Sequence, residues 1–180
     1  IIEKISRYGI PIQFGGGIRN TQDVLNAFNA GATKIILGTS AIDSHSWTLE
    51  LVHKYGKNKI IISIDFDKNG LVVTKGWVES SNKKATEILV NMSELNFDQF
   101  ILTDTTRDGT LTQPNFELIK SMRTLTPQKI TIAGGISRTK HLTKLSDIGI
   151  DGAIVGTAIY TGDIDFKNAI HILSAIEKQK

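Results

Sequence analysis

The chain has 180 residues, 40% of them apolar and 22% charged, enough to bury a real core and too apolar for a disordered segment. Its 21 basic and 18 acidic residues leave a net charge of +3 and are scattered, so no basic block points to nucleic acid or to a membrane surface. Cysteine is absent, which removes disulfides, thiolate catalysis and Cys-based metal sites; no apolar run approaches a membrane span and no charged start precedes one, so a cytoplasmic location is expected.

Taken in chain order, Ile1-Ile2-Glu3-Lys4-Ile5 reads as the end of an amphipathic helix, and with no initiator Met the N-terminus is expected to be incomplete. A strand is predicted over residues 11–15, then a glycine cluster in "QFGGGIRNT" and a helix over 21–30, with Thr21 as N-cap and Gly31 beyond its end. Further strands are predicted over 34–38, 60–65, 99–104, 129–133 and 152–156. Helical spacing covers 46–55, 83–95, 115–126, 139–148 and 165–177, with Ser46, Asn115 and Thr139 as N-caps and Gly56 and Gly149 as C-terminal glycines. Most strand runs are continuously apolar, as strands buried on both faces are, so a parallel α/β sheet is expected with no linker dividing it.

An internal repeat narrows the fold. "GGIRNTQDVLNAFNAGATKIILGTSAI" from Gly16 and "GGISRTKHLTKLSDIGIDGAIVGTAIY" from Gly134 align without a gap at an offset of 118 (134 − 16). Gly16, Gly17, Thr21, Gly31, Gly38 and Thr39 meet Gly134, Gly135, Thr139, Gly149, Gly156 and Thr157. One repeat spans four βα units, which suits a (β/α)8 TIM barrel made of two halves. The repeat then places strands three to eight here, as one barrel domain over residues 1–180 that lacks its first two βα units. An open doubly wound sheet is the rival fold; it needs no missing units but leaves the repeat unexplained.

In a barrel the loops after the strands form the catalytic face. Gly16, Gly17, Gly38 and Thr39 would line one phosphate cradle there, and Gly134, Gly135, Gly156 and Thr157 another, because glycine lets backbone N–H groups and the next helix N-terminus approach an anion. Such a pair of cradles suits a ligand with a phosphate at each end; each cluster taken singly could equally be a tight turn. Asp65, ending "IISID", and Asp104, ending "FILTD" beside Thr103, are candidates for proton chemistry in the mouth. Asp108, ahead of Gly109, reads also as a turn residue. Trp77 in "TKGWVES" is either a loop anchor or a stacking platform, and Trp47 reads as packing. His45, His53, His141 and His171 have no metal-ligand spacing, so no metal is expected.

Together "GGGIR", "GTSAI", "IISIDF", "KGWVES", "TDTTRDGTLTQPN", "AGGIS" and "GAIVGTAIY", in this order, closely resemble the phosphoribosylformimino-5-aminoimidazole carboxamide ribotide (ProFAR) isomerase family of histidine biosynthesis, a (β/α)8 barrel. The resemblance implies an Amadori rearrangement of an aminoaldose to an aminoketose on a bisphosphorylated ribonucleotide, by a monomer without metal or organic cofactor. It implies Asp65 as proton donor, Thr103 and Asp108 as residues that hold or polarise the sugar, Arg19 and Trp77 as substrate contacts, and the glycine clusters as phosphate sites. The family's proton acceptor is an Asp ending the first strand, so the 180-residue chain is expected to be inactive or nearly so. Two departures stand out: Gly156-Thr157-Ala158 where the family carries a basic residue, and Gln113 where Gly is common. The sister cyclase of imidazole glycerol phosphate synthase and a non-catalytic phosphate-binding barrel are the alternatives.

Overall fold

Branching at Cβ packs well on a pleated surface and crowds a helix, so the Ile-rich runs favour extended backbone. In the computed structural model, which describes residues 1–178, the strands are β1 (Gln13–Gly15), β2 (Lys34–Leu37), β3 (Ile60–Phe66), β4 (Leu71–Thr74), β5 (Glu79–Lys84), β6 (Gln99–Asp104), β7 (Lys129–Ala133) and β8 (Gly152–Ile154). Six of these are the predicted runs. The pair β4 and β5 is an antiparallel hairpin after β3 that the sequence did not announce, since "LVVT" is short and "ESSNKK" carries no apolar face.

The six parallel strands pair in strict chain order, β1-β2-β3-β6-β7-β8. A doubly wound sheet reverses its strand order at a switch point, and this sheet has none, so the rival fold is excluded. The sheet is also curled. Ile154 of β8 lines the same cavity as Gln13 and Gly15 of β1, which brings the two ends of the sheet round the concave side of a half-barrel.

The helices are α1 (Ile2–Ser6), α2 (Thr21–Asn29), α3 (Thr39–Asp43), α4 (His45–Tyr55), α5 (Ala85–Glu94), α6 (Phe116–Arg123), α7 (Thr139–Ile148), α8 (Thr157–Tyr160) and α9 (Phe166–Glu177). None of the described helices is long and apolar enough to cross a membrane. Several predicted caps shift. Asn20, not Thr21, caps α2, accepting from the Asp23 N–H at 3.0 Å. The helix predicted from Ser46 starts at His45, and neither Ser44 before α4 nor Arg138 before α7 makes a side-chain cap bond, so Thr139 is the first helical residue and not a cap. Asn115 caps α6 as expected, accepting from Leu118 N–H at 3.2 Å, and Gly149 closes α7 in the left-handed region.

Side chains alternate across each strand, and the register sorts them into two layers. Ile35, Leu37, Ile60, Ile62, Ile64, Phe66, Phe100, Leu102, Ile130 and Ile132 belong to the large cluster with the helices, each such side chain contributing about 1.5–3 kcal/mol on full burial. The intervening residues Ile36, Ile61, Ile101 and Ala133 form a separate, smaller cluster on the concave face. That face leads to the site.

Candidate active site

The register Ser63↔Ile101 and Asp65↔Thr103 continues the concave row from Ile61 upward, so the C-terminal ends of β3 and β6 bring a carboxylate and a hydroxyl side by side. Apolar residues fill the base of the row and polar ones its mouth. Asp65 Oδ1 accepts from Ser63 Oγ at 2.9 Å, and Oδ2 accepts from Trp77 Nε1 at 2.9 Å. Two donors on separate oxygens fix the plane of the carboxylate while leaving each oxygen a lone pair. Thr103 beside it is 7% exposed.

Asp104 does not join them. It pairs with Phe66 across the strands, on the opposite face, where Oδ2 meets Arg107 Nε at 3.1 Å and Oδ1 accepts from Thr106 N–H at 3.1 Å and Thr106 Oγ at 2.6 Å. This corrects the expectation that both strand-terminal acids enter the mouth. A one-residue step along a strand turns a side chain to the other face, and Asp104 is one step beyond the partner of Asp65.

Above this row lies an open cavity of about 1460 Å³, lined by Gly15, Gly16, Gly17, Arg19, Gly38, Thr39, Ser63, Asp65, Lys75, Gly76 and Thr103, among others. Gly16 and Gly17 have φ of 101° and 74°, and a Cβ on either would meet nothing within 4 Å, so their backbone faces free space at the approach to α2. Thr39 Oγ1 accepts from the Lys75 N–H at 3.1 Å, which ties the hairpin turn to the start of α3. Trp77, at φ 70° in that turn, is 47% exposed while its indole reaches down to Asp65.

The second set of predicted residues sits differently. Gly134 and Gly135 are buried, and a Cβ would lie 2.6 Å from the Asp104 carbonyl oxygen at the first and 2.9 Å from the Gln113 backbone at the second. Loop 105–115 is folded over them: Arg107 Nη1 donates to the Gln113 carbonyl at 2.7 Å, and Ser137 Oγ donates to the Thr112 carbonyl at 2.6 Å. Asp108 stands exposed on that loop, and Gly156 and Thr157 are exposed at the start of α8. None of these residues lines the cavity.

Ser63 and Lys75 line the cavity without having been expected there, and Trp47 packs against the core as expected while its Nε1 also donates to Thr21 Oγ1 at 3.1 Å at the cavity edge. Ser63 was within reach, being two residues before Asp65 on the same strand. His141, on α7, is 5% exposed, its ring edge-on to Phe116 and its Nδ1 accepting from the Ser137 N–H at 3.3 Å. Burial, then the cations Lys140, Arg138 and Lys144, hold its pKa below the ordinary histidine value.

Comparison with known proteins bears on these motifs. The model of the family described as "Histidine biosynthesis protein" matches residues 1–165. The chain belongs to this family. Among its relatives in the histidine biosynthesis family, a Herpetosiphon aurantiacus protein is 43% identical over 164 residues, covering 91% of this chain and 68% of the relative. A Dehalococcoides mccartyi protein is 42% identical over 165 residues, 92% of this chain and 69% of the relative. A Lachnoclostridium phytofermentans protein is 38% identical over 172 residues, 96% and 72% respectively. All three carry the name 1-(5-phosphoribosyl)-5-((5-phosphoribosylamino)methylideneamino)imidazole-4-carboxamide isomerase.

Proposed function

We propose that this chain belongs to an enzyme that performs the aldose–ketose isomerisation named in those relatives, converting ProFAR to its ribulosyl isomer PRFAR in histidine biosynthesis. The carrying observation is the register that sets Asp65 beside Thr103 at the mouth of the concave face, under an open glycine turn. Asp65 delivers a proton to the ribose ring oxygen, the ring opens to a Schiff base, and loss of a proton from the adjacent carbon gives the enolamine that becomes the aminoketose. Ser63 and Trp77 hold the Asp65 carboxyl in place, and Thr103 positions the sugar.

One phosphate falls to Gly16, Gly17, Gly38 and Thr39, with Arg19 adding charge and α2 its N-terminus. The other falls to Gly156 and Thr157 at the start of α8 and to Gly134 and Gly135 in the turn after β7, with Asp108 on loop 105–115 holding the sugar. We propose further that the six parallel strands are strands three to eight of one eightfold barrel domain, monomeric and cytoplasmic, and that the proton acceptor is a first-strand Asp outside these 180 residues. That division of labour makes the chain by itself inactive or nearly so.

Asp65→Asn, made in a protein carrying all eight units, tests the assignment. The expected loss in kcat is about 10²–10⁴-fold with the circular dichroism spectrum unchanged; an unchanged rate removes Asp65 as the acid. Turnover of ProFAR by the 180-residue chain at the rate of the eight-unit protein would overturn the proposed first-strand base.

A further inference from the structure

At the repeat offset of 118, position 141 corresponds to position 23 (141 − 118). The two side chains make the same kind of bond with different chemistry. Asp23 Oδ2 accepts from the backbone N–H of Arg19 at 2.9 Å and of Asn20 at 3.3 Å, which closes the "GGIRN" turn onto α2. His141 Nδ1 accepts from the backbone N–H of Ser137 at 3.3 Å, and Ser137 is the repeat partner of Arg19. A carboxyl group keeps an acceptor oxygen in either protonation state, whereas an imidazole accepts only while neutral, because both ring nitrogens carry protons in the cation.

The second bond reaches further than the first. Ser137 Oγ donates to the Thr112 carbonyl at 2.6 Å, and the space beside Gly135 is closed by the Gln113 backbone at 2.9 Å. Turn 134–137 and loop 105–115, the bearer of Asp108, are thus packed as one body, and His141 holds that body to α7.

We propose that His141 is a positioning residue, a titratable latch that pins turn 134–137 and loop 105–115 while its imidazole is neutral, where the first half of the chain uses the permanent acceptor Asp23. Protonation replaces the acceptor by a donor facing the Ser137 N–H, so the second turn loosens in acid and the first does not. The charges acting on the ring are Lys140, Arg138 and Lys144, all cationic and all on α7 or at its cap. The neighbouring helices add none to that set: α6 meets the ring with Phe116, over which Lys144 Nζ lies 4.1 Å from the centroid. The latch itself is independent of any reaction; its bearing on turnover rests on the isomerase reading.

Histidine-selective and uniform ¹⁵N NMR of the eight-unit protein between pH 8 and pH 5 decides it. The expected result is the Nε2–H tautomer of His141 at the alkaline end, and a Ser137 amide signal that moves with the His141 ring while the Arg19 amide stays still. In His141→Asn, whose side-chain oxygen accepts without titrating, the Ser137 signal is expected to be flat. An Nδ1–H tautomer, or a Ser137 amide that does not move in this range, overturns the proposal; both are read on the unmutated protein, so a variant that fails to fold does not blunt the test. In the eight-unit protein, the acid limb of the kcat profile is expected to move to lower pH in His141→Asn. Absence of ProFAR turnover with the NMR result intact would sink the isomerase reading and leave the latch standing.

Discussion

Gly16 and Gly134 occupy matching places in the repeat and both have positive φ, 101° and 96°, but an added methyl group meets different surroundings. At Gly16 it points into open space, so Gly16→Ala bears only the backbone strain, about 1–3 kcal/mol. At Gly134 it stands 2.6 Å from the Asp104 carbonyl oxygen, a backbone atom that cannot swing aside. Gly134→Ala is therefore expected to lower the urea midpoint much more than Gly16→Ala, and equal midpoints would contradict the packing described for the second turn. Asp65 and Asp104 make the same point. Both end an apolar run, and a reader of the sequence sees two equivalent acids; the pairing Asp65↔Thr103 decides that only the first faces the cavity. Register depends on which residues of two distant segments hydrogen-bond, and no local pattern contains it.

At the scale of elements, the strands of the parallel sheet were legible from their apolar runs, whereas the short Val72-Val73 run of β4 was not. Helix ends were less so. In "RNTQD" both Asn20 and Thr21 are good N-caps by type, and Asn20 takes the position because Asp23 can then bond back to its N–H, completing a capping box. Asn20→Ala is expected to cost about 1 kcal/mol of stability by urea denaturation. Thr21→Ala removes only the exposed Trp47 contact and is expected to cost clearly less; the reverse order would restore Thr21 as the cap. The hairpin β4–β5 was missed because its outer strand is polar throughout, yet it delivers Trp77 to Asp65. Its shape comes from a local bond, Asp67 Oδ1 accepting from Asn69 N–H at 2.8 Å and Leu71 N–H at 3.0 Å, which turns the chain at "DKNG".

For the molecule as a whole, β1 and β8 are the ends of the parallel sheet among the described residues, and each has apolar side chains in water nearby. Ile10 is 63% exposed beside β1, and Ile154 is 45% exposed on β8. Unpaired strand edges with exposed apolar neighbours invite pairing with other chains. The 180-residue chain is expected to self-associate at micromolar concentration, read by light scattering, and a monodisperse monomer would refute this. Stability should also depend on pH through His141. Its pKa is lowered in the folded state, so below the ordinary value of about 6.5 the unfolded chain binds more protons and stability falls as pH drops toward the folded pKa. The urea midpoint is therefore expected to be flat above about pH 7 and to decline below it, with His141→Asn weakening the decline.

The sequence by itself determined the alternation of strands and helices, the fourfold unit within the repeat and the acid at the end of β3, because these follow from side-chain size, branching and polarity at fixed spacings along one chain. Tertiary structure alone decided which acid faces the cavity, and that the first glycine turn stands open while the second lies under loop 105–115. Each of those depends on a contact between segments far apart in the chain, where register, packing and burial act and where no spacing rule along the sequence can reach.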